Sequence, residues 1–365
     1  MPELVAVHGP PGPAFAEEVQ RIWDAGDAVF PVDDRWPRAA VERLHAAVRP
    51  TRVGDAKVDG RPVEPGDALV LATSGTTGDP KGVVLTHDAV EAAARATSAR
   101  LGVDPALDTW ICCLPVAHAG GAGVVTRALI TGTPLVVLPG FDAQAVTDAA
   151  RDVGRALTSL VATALRRLDP GIFRTIVLGG DRPPRQVPDN AVVTYGMTET
   201  GGGCVYDGLP LDGVEVAVVD GEIRIRAPLL GRAYRTAGGE TPITEWFRTG
   251  DGGEIEGGRL KVHGRMAEVI VTGGEKVWPG PVEEVIATVA GVSEVAVVGR
   301  PDAEWGQRVV AVVVAAPGAT PVLATIVDAV RATLPAWAAP KELEVVARLP
   351  RSGLGKIRRG EAGRI

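Results

Sequence analysis

The sequence has few of the residues that would point to several common classes of protein. It has only 3 cysteines in 365 residues, and two of them, Cys112 and Cys113, are adjacent. Three cysteines cannot form a disulfide framework, and without a C-x-x-C pair or a histidine-rich cluster they do not indicate a zinc site. Such low cysteine usage fits a reducing compartment, so we expect a cytoplasmic protein.

Long apolar runs and basic runs are also missing. The longest apolar stretches, such as residues 309–317, have the length of a β-strand and are too short to cross a bilayer. The first residues show no basic stretch followed by an apolar core, so no signal peptide is expected. The 38 basic and 45 acidic residues give a net charge of −7, which argues against nucleic acid as a partner.

The remaining composition, 45% hydrophobic and 23% charged, is that of a globular protein with room for one large and one smaller domain. Strand-like and helix-like segments alternate up to about residue 208, which predicts α/β layers around a largely parallel sheet. Period-two alternation around Asp220 and Gly221 then predicts a hairpin in a small antiparallel barrel or sheet. We therefore predict an N-terminal domain, residues 1–265, and a C-terminal α+β domain, residues 266–365.

The segment "LATSGTTGDPKGVVLTH", residues 71–87, places small and hydroxyl-bearing residues between two apolar strands. Glycines allow close approach of a ligand, successive N–H groups form an anion-binding concavity, and a lysine adds a positive charge for phosphate. It is not a Walker A loop, because Pro80 precedes Lys81 and Gly82 follows it. The short "GTTG" alone could equally be a solvated turn. The segment's candidate phosphate-binding residues are Thr73, Ser74, Gly75, Thr76, Thr77, Gly78 and Lys81.

The whole string "TSGTTGDPKG" resembles the signature of the adenylate-forming enzymes, which include acyl- and aryl-CoA synthetases, luciferases and peptide-synthetase adenylation domains. Further segments resemble this superfamily's motifs in its order, and together they span residues 71–359. They are "LPVAHAGG", "LGGD", "TYGMTET", "WFRTGDGG", "HGRMAEVI", "TGGEKVWPGPVEE" and "LPRSGLGKIRRG". The resemblance implies ATP, Mg²⁺ and coenzyme A as co-substrates and cofactors, a small carboxylic acid as substrate, an acyl-adenylate intermediate and a mobile C-terminal domain.

The resemblance also implies which residues hold the nucleotide. Tyr195 would stack on adenine, Thr198 would contact the α-phosphate and Glu199 would hold Mg²⁺. Asp251 would accept both ribose hydroxyls and Arg265 would reach the ribose or phosphate. Taken alone, Asp251–Gly252 could instead form a type I′ turn. The other positions that match the nucleotide-binding motifs are Gly179, Gly180, Asp181, Gly196 and Met197.

The C-terminal motifs match the moving parts of the superfamily. Lys356 would act on the carboxylate and α-phosphate during adenylation, where a cation stabilises developing negative charge. Gly273 and Gly274 would line the thiol tunnel for coenzyme A. The hinge position, two residues after Arg265, is often Asp or Lys in the superfamily but is Ala267 here, and a small residue can still absorb a backbone rotation.

The acyl site is expected around His118, which matches the residue that closes the acyl pocket and gates thiol entry. The runs "TYGMTETGGGCVYDGLPLDGV" and "SLVATALRRL" resemble short actinobacterial o-succinylbenzoate–CoA ligases of menaquinone biosynthesis. In that family a basic residue after the histidine motif pairs with a substrate carboxylate, and Arg127 matches it. Ser159 and Thr163 would contribute further acyl contacts.

Two other functions stay open at this stage. A free-standing adenylation enzyme would load a carrier protein instead of coenzyme A, and no appended carrier domain is visible in the sequence. A catalytically inactive nucleotide-binding module is disfavoured by the presence of Lys81, Glu199, Asp251 and Lys356. The oligomeric state, a homodimer included, is not determined by the sequence.

Overall fold

A computed structural model gives the structure of the chain. It describes residues 1–9, 11–33, 35–74, 80–180, 183–184, 186–350 and 359–363. Two compact units emerge, the first formed by Met1–Val216 with Ile225–Phe247 and the second by Ala217–Arg224 with Arg248–Ile365. The boundary that the sequence predicts, between residues 265 and 266, concerns the moving domain and stays a prediction.

The helices lie mainly in the first unit and alternate there with strands. They are α1 (Pro13–Asp24), α2 (Arg38–Val48), α3 (His87–Leu101), α4 (Ala119–Thr131), α5 (Ala143–Val153), α6 (Ala162–Leu165), α7 (Pro279–Ile286), α8 (Leu323–Arg331) and α9 (Arg359–Ala362).

The strands up to the middle of the chain build two sheets. They are β1 (Leu4–Val7), β2 (Ala28–Pro31), β3 (Arg52–Val53), β4 (Ala56–Lys57), β5 (Asp67–Ser74), β6 (Pro80–Thr86), β7 (Thr109–Cys112), β8 (Leu135–Val137), β9 (Ala156–Leu160), β10 (Thr175–Leu178), β11 (Ala191–Met197), β12 (Gly202–Tyr206) and β13 (Leu209–Pro210).

The later strands are longer on average and mostly antiparallel. They are β14 (Glu215–Val219), β15 (Glu222–Arg226), β16 (Ala233–Thr236), β17 (Gly239–Pro242), β18 (Phe247–Glu256), β19 (Arg259–Arg265), β20 (Ile270–Thr272), β21 (Glu275–Val277), β22 (Val292–Asp302), β23 (Gly306–Ala315) and β24 (Glu342–Val345).

The first unit has two mixed sheets rather than the largely parallel sheet that the strand–helix alternation predicts. One has the order β17-β16-β6-β5-β2-β1-β3-β4 and the other the order β13-β12-β11-β10-β9-β7-β8. In both, the central strands are parallel, but β5 with β6, β6 with β16 and β11 with β12 pair antiparallel. The prediction failed at these strands because the chain returns to the same sheet without an α-helical crossover after β5 and after β11, and because β16 joins β6 from a distant part of the chain.

Alternation of side chains places an apolar layer on each face of the first sheet. Phe30, Val70 and Val84 pack on one face with α2, and Leu71 and Val83 pack on the other with α1 and α4. This is the period-two geometry of a strand, in which neighbouring residues face opposite layers. Polar residues at the strand ends therefore lie at the edge of a rigid, buried sheet.

Helix α3 begins at His87, directly after strand β6. Its N-cap is Thr86, whose hydroxyl accepts a hydrogen bond from the Ala89 backbone N–H at 3.1 Å. Thr86 is the last residue of β6, so the strand passes directly into the helix with its first turn satisfied.

The second unit contains a sheet of order β14-β15-β18-β19 and a sheet of order β21-β20-β23-β22, with β24 paired to β23. Helices α7 and α8 cover one face of the latter sheet, where Ile286, Ile326 and Val330 pack against Val297 and Val313. This α+β arrangement matches the texture predicted for the C-terminal region. Among the described residues, no helix is long and apolar enough to cross a membrane.

Candidate active site

The predicted phosphate-binding segment connects the antiparallel strands β5 and β6. At its base Thr73 pairs with Lys81 and Ser74 with Pro80, so the pairing brings the two ends of the segment together. The predicted contacts of Gly75, Thr76, Thr77 and Gly78, and of the Ser74 side chain, lie outside the described residues. The structure thus positions Thr73 and Lys81 side by side on a rigid strand pair.

Lys81 is half-buried at the edge of this sheet. Its Nζ lies 3.4 Å from the centroid of the Tyr234 ring. Burial lowers the pKa of the Lys81 ammonium, and the nearby Glu199 carboxylate opposes that shift. The geometry is that of a cation–π contact, which keeps the ammonium in place, and no described residue forms a direct ion pair with it.

Glu199 lies in a short 3₁₀ helix, Thr198–Thr200, directly after β11. The Thr200 hydroxyl accepts a hydrogen bond from the Met197 N–H at 2.9 Å, which fixes the turn. The Tyr234 hydroxyl donates a hydrogen bond to Glu199 Oε1 at 2.8 Å. Lys81, Tyr234 and Glu199 therefore form one connected cluster in the first unit.

Gly196 is required where β11 meets β12. A Cβ at this position would lie 1.9 Å from the Gly202 carbonyl oxygen, and the pairing register shifts between Tyr195 and Gly196. Only glycine allows this close approach of two backbones. The turn that carries Thr198 is held against β12 as a result.

The glycine pair predicted to contact adenine follows strand β10. Gly180 has φ of +81°, a conformation that favours glycine, and a Cβ on Gly179 would lie 2.6 Å from the Thr194 hydroxyl. Tyr195 follows Thr194 on β11, which is hydrogen-bonded to β10. The structure thus brings the "LGGD" and "TYGMTET" segments to neighbouring strand ends, while Asp181 lies outside the described residues.

His118 occupies the N-cap position of α4, and its ring contacts Trp36 edge-on with 5.8 Å between the centroids. Trp36 was not among the predicted site residues. Its position beside His118 follows from the β2–α2 connection, and no motif in the sequence indicates it.

Arg127 lies on α4 and lines a small cavity of about 20 Å³ between α3, α4 and the β5, β6 and β12 strands. Its side chain is buried, and Nε and Nη1 have no hydrogen-bond partner among the described residues. The guanidinium carbon lies 4.5 Å from the centroid of the Trp110 ring. Loss of hydration on burial lowers the pKa of the guanidinium.

Most residues that line this cavity are apolar, and several of them are glycine or alanine. Three glycines, Gly123, Gly201 and Gly203, face it alongside Ala89 and other residues of α3. The remaining lining residues are Leu69, Leu85, Val90, Ala93, Ala94, Thr97, Ala122 and Thr126. A buried cation surrounded by such walls is a site that an anionic group would complete.

The structure does not bring Ser159 and Thr163 to this cavity. Ser159 is buried on β9, and Thr163 is exposed on the short helix α6. Neither residue lines the cavity around Arg127. Their predicted acyl contacts therefore have no support from the geometry of the described residues.

In the second unit, Asp251 and Arg265 face each other across strands β18 and β19. Arg265 Nε lies 3.1 Å from Asp251 Oδ1, and Asp251 is only 7% exposed. The turn of this hairpin is at Gly257 and Gly258, so Asp251–Gly252 lies inside a strand and the type I′ alternative is wrong for this pair. The two residues predicted to contact ribose are thus held together by strand register.

The predicted hinge and tunnel positions follow strand β19 within the second unit. Ala267 lies in the 3₁₀ helix Met266–Glu268, and Gly273 and Gly274 form the turn between β20 and β21 with φ of +59° and +86°. The Gly273 N–H donates a hydrogen bond to the Trp305 carbonyl oxygen at 2.8 Å. Positive φ at both positions makes glycine the favoured residue in this turn.

Lys356 lies outside the described residues, but the chain on both sides of it is anchored in the second unit. Leu349 and Ala362 pack in the same apolar cluster. Arg359 forms ion pairs with Glu283 at 2.8 Å and with Glu268 at 2.7 Å. The segment that carries Lys356 is therefore tied to this unit at both ends.

Comparisons with known proteins agree with this arrangement. The model of the AMP-binding enzyme family matches residues 49–234, and that of the AMP-binding enzyme C-terminal domain matches residues 281–356. A probable 2-succinylbenzoate–CoA ligase of Mycobacterium tuberculosis is 38% identical over 97% of this chain and 96% of that protein. A 2-succinylbenzoate–CoA ligase of Listeria monocytogenes is 32% identical over 80% of this chain and 69% of that protein.

Solved structures share the fold. The o-succinylbenzoate CoA synthetase of Bacillus subtilis in complex with its acyl-adenylate intermediate superposes with a TM-score of 0.79, at 23% identity over 99% of this chain and 88% of that one. ATP-bound MatB of Rhodopseudomonas palustris gives a TM-score of 0.84, at 23% identity over 100% of this chain and 88% of that one. The family matches and the near full-length relative together assign the chain, which belongs to the AMP-binding enzyme family.

Proposed function

We propose that this enzyme ligates 2-succinylbenzoate to coenzyme A through an acyl-adenylate, releasing AMP and pyrophosphate. The family membership supports adenylation, and the names of the relatives at 38% and 32% identity support the acid and the thiol. The observation that carries the choice of acid is the buried Arg127 guanidinium at the cavity between α3 and α4.

Arg127 fits a substrate with two carboxylates. One carboxylate attacks the α-phosphate, and the other stays anionic and must be paired when it enters an apolar cavity. A guanidinium can form two parallel hydrogen bonds to that carboxylate. The cavity of about 20 Å³ holds about one water molecule, so its walls must separate when an aryl dicarboxylate binds.

In the adenylation step, Lys81 and Thr73 would bind the outer phosphates of ATP from the base of the β5–β6 connection. Lys356 would be brought to the α-phosphate by the predicted C-terminal domain, residues 266–365, and Thr198 would contact the same phosphate. The two lysines would stabilise the negative charge that develops as the carboxylate attacks phosphorus and pyrophosphate leaves. The phosphates thereby stay oriented for in-line displacement.

Glu199 fits a Mg²⁺ site of the kind that phosphate substrates complete. Magnesium in such sites is held by one or two carboxylates together with phosphate oxygens. The Tyr234 hydroxyl donates to one oxygen of this carboxylate, Oε1, and the carboxylate has a second. When bound, Mg²⁺ would neutralise phosphate charge. No cluster of three potential metal-ligating side chains occurs among residues that the structure describes.

In the thioester step, the predicted C-terminal domain, residues 266–365, would turn about Ala267 and bring Gly273 and Gly274 to the acyl-adenylate. The bare glycine backbone allows a pantetheine arm to pass closely. Withdrawal of Lys356 in the same rotation would let one site carry out two reactions in sequence.

The test is a set of acids assayed for AMP release with coenzyme A. Wild-type enzyme should use 2-succinylbenzoate with a KM well below that of 4-oxo-4-phenylbutanoate or 2-butanoylbenzoate, each of which lacks one carboxylate. In Arg127→Ala the KM for 2-succinylbenzoate should rise about tenfold or more, the range expected when a charged hydrogen-bonded pair is lost. The KM for the single-carboxylate analogue that is turned over should change far less.

The control variant is Arg95→Ala, whose exposed guanidinium pairs with Glu91 on the surface of α3. It should leave both KM values unchanged. Equal KM effects of Arg127→Ala on the diacid and on the single-carboxylate analogue would contradict the pairing. Product formation with a phosphopantetheinylated carrier protein but not with coenzyme A would replace the proposed thiol acceptor.

A further inference from the structure

Tyr234 contacts two oppositely charged side chains of the first unit, Lys81 and Glu199, at the proposed nucleotide site. Lys81 Nζ lies 3.4 Å from the ring centroid, and the hydroxyl donates to Glu199 Oε1 at 2.8 Å. No ion pair connects Lys81 directly with Glu199, two residues that the structure describes. Tyr234 therefore contacts the cation with the face of its ring and the carboxylate with its hydroxyl.

Strand register determines this position. Tyr234 on β16 is opposite Val83 on β6, and Lys81 lies two residues before Val83 on the same face of the sheet. On the other side, the Gly231 N–H donates to the Glu199 carbonyl oxygen at 2.8 Å, which anchors the 3₁₀ helix to the chain just before β16. Backbone hydrogen bonds thus fix the chain segments that carry all three side chains.

The Tyr234 ring lies against one of two opposite charges whose mutual attraction must be considered. A lysine and a glutamate in a half-buried site attract each other strongly, because the effective dielectric constant there is lower than in water. A carboxylate oxygen can only accept in this contact, so the Tyr234 hydroxyl is the donor. Its partner Glu199 is the predicted magnesium-binding carboxylate, and Lys81 is the predicted phosphate-binding cation.

We propose that Tyr234 is a positioning residue that holds Lys81 and Glu199 apart, so that both charges stay available to magnesium–nucleotide. In its absence the two side chains would form an ion pair that the incoming nucleotide must break. This inference rests on the proposed nucleotide roles of Lys81 and Glu199 and is independent of which acid the enzyme uses.

The test measures binding of α,β-methylene-ATP, in which a CH₂ bridge prevents cleavage between the α- and β-phosphates, by calorimetry in the presence of Mg²⁺ and in EDTA. Tyr234→Phe keeps the ring on Lys81 and removes the hydrogen bond to Glu199. We expect its dissociation constant to rise about tenfold in Mg²⁺, as for a lost hydrogen bond to a charged group, and to stay within about twofold in EDTA. Tyr234→Leu removes both contacts and should weaken binding in both conditions.

A double-variant cycle shows whether Tyr234 acts through Glu199. In a Glu199→Gln background, Tyr234→Phe should have almost no further effect on the Mg²⁺-dependent dissociation constant. The matched control is Tyr206→Phe, which removes a buried hydroxyl that contacts Thr97 at 3.2 Å, away from Lys81 and Glu199. It should leave nucleotide binding unchanged.

Several outcomes would overturn the inference. If Tyr234→Phe weakened nucleotide binding equally in Mg²⁺ and in EDTA, the residue would have a general structural role. If nucleotide binding in Mg²⁺ were unchanged, the residue would have no role in it. Full persistence of the Tyr234→Phe effect in the Glu199→Gln background would also contradict it. Because no acid is present, these results are separate from a failure of the enzyme to use 2-succinylbenzoate.

Discussion

Replacing Arg127 by methionine should stabilise the free enzyme while weakening the binding of its acid substrate. The guanidinium is buried on α4, and its Nε and Nη1 have no hydrogen-bond partner among the described residues. Its contact with the Trp110 ring at 4.5 Å is the favourable interaction that the substitution removes. Methionine is unbranched and flexible enough to fill the same space with apolar atoms.

The magnitude follows from opposing contributions. The effective desolvation penalty of a buried ion is several kcal/mol, and replacing buried charges by apolar residues of similar volume often stabilises a protein by about 1–4 kcal/mol. Loss of the cation–π contact removes about 1–2 kcal/mol of that gain. We expect a net stabilisation of about 1–2 kcal/mol, or roughly 2–8 °C in the Tm of a unit of this size.

The assay is thermal unfolding of ligand-free enzyme by calorimetry, with Arg95→Met as control. Arg95 is exposed on α3 and paired with Glu91, so its substitution should change the free energy of unfolding by no more than about 0.5 kcal/mol. In the same preparation, Arg127→Met should raise the KM for 2-succinylbenzoate. A Tm equal to or below that of wild type would refute the reasoning, since it would show that the guanidinium is already well satisfied without substrate.

Other perturbations give equally direct tests. Arg235 is fully buried and donates hydrogen bonds to Glu240 at 2.9 Å and to several backbone carbonyls. Arg235→Met should therefore lower the free energy of unfolding, measured by urea titration, by about 3–5 kcal/mol. A loss below about 1 kcal/mol would contradict this. Burial lowers the pKa values of His45 and His87, so protons bind preferentially to the unfolded chain and stability should fall as the pH drops from 7 through 6.5 to 5. The double variant His45→Gln/His87→Gln should show a flatter dependence of Tm on pH. An unchanged dependence would exclude these two histidines as its cause. Lys356→Ala should abolish adenylate formation but spare thiolysis of supplied acyl-adenylate, and equal loss of both half-reactions would count against domain alternation.

Much of the candidate site could be predicted because its parts are contiguous in the chain. A run of glycines and hydroxyl residues that ends in Lys81 indicates an anion-binding segment from the sequence alone. A Thr-Glu-Thr turn that directly follows a strand keeps its local geometry wherever the sheet places it. The strand–helix alternation likewise predicted the α/β layers. It did not predict the antiparallel edges, since strand direction depends on how the chain returns to the sheet.

The sequence by itself determined the family motifs and their order, because each motif encodes its chemistry within a few residues. Only the tertiary structure decided which side chains meet across strands: Tyr234 between Lys81 and Glu199, and Arg265 against Asp251. It also decided that Arg127 is buried without a hydrogen-bond partner for two of its nitrogens among the described residues. Strand register and burial are properties of the packed chain, and residues that are distant in sequence acquire partners only when the sheets form.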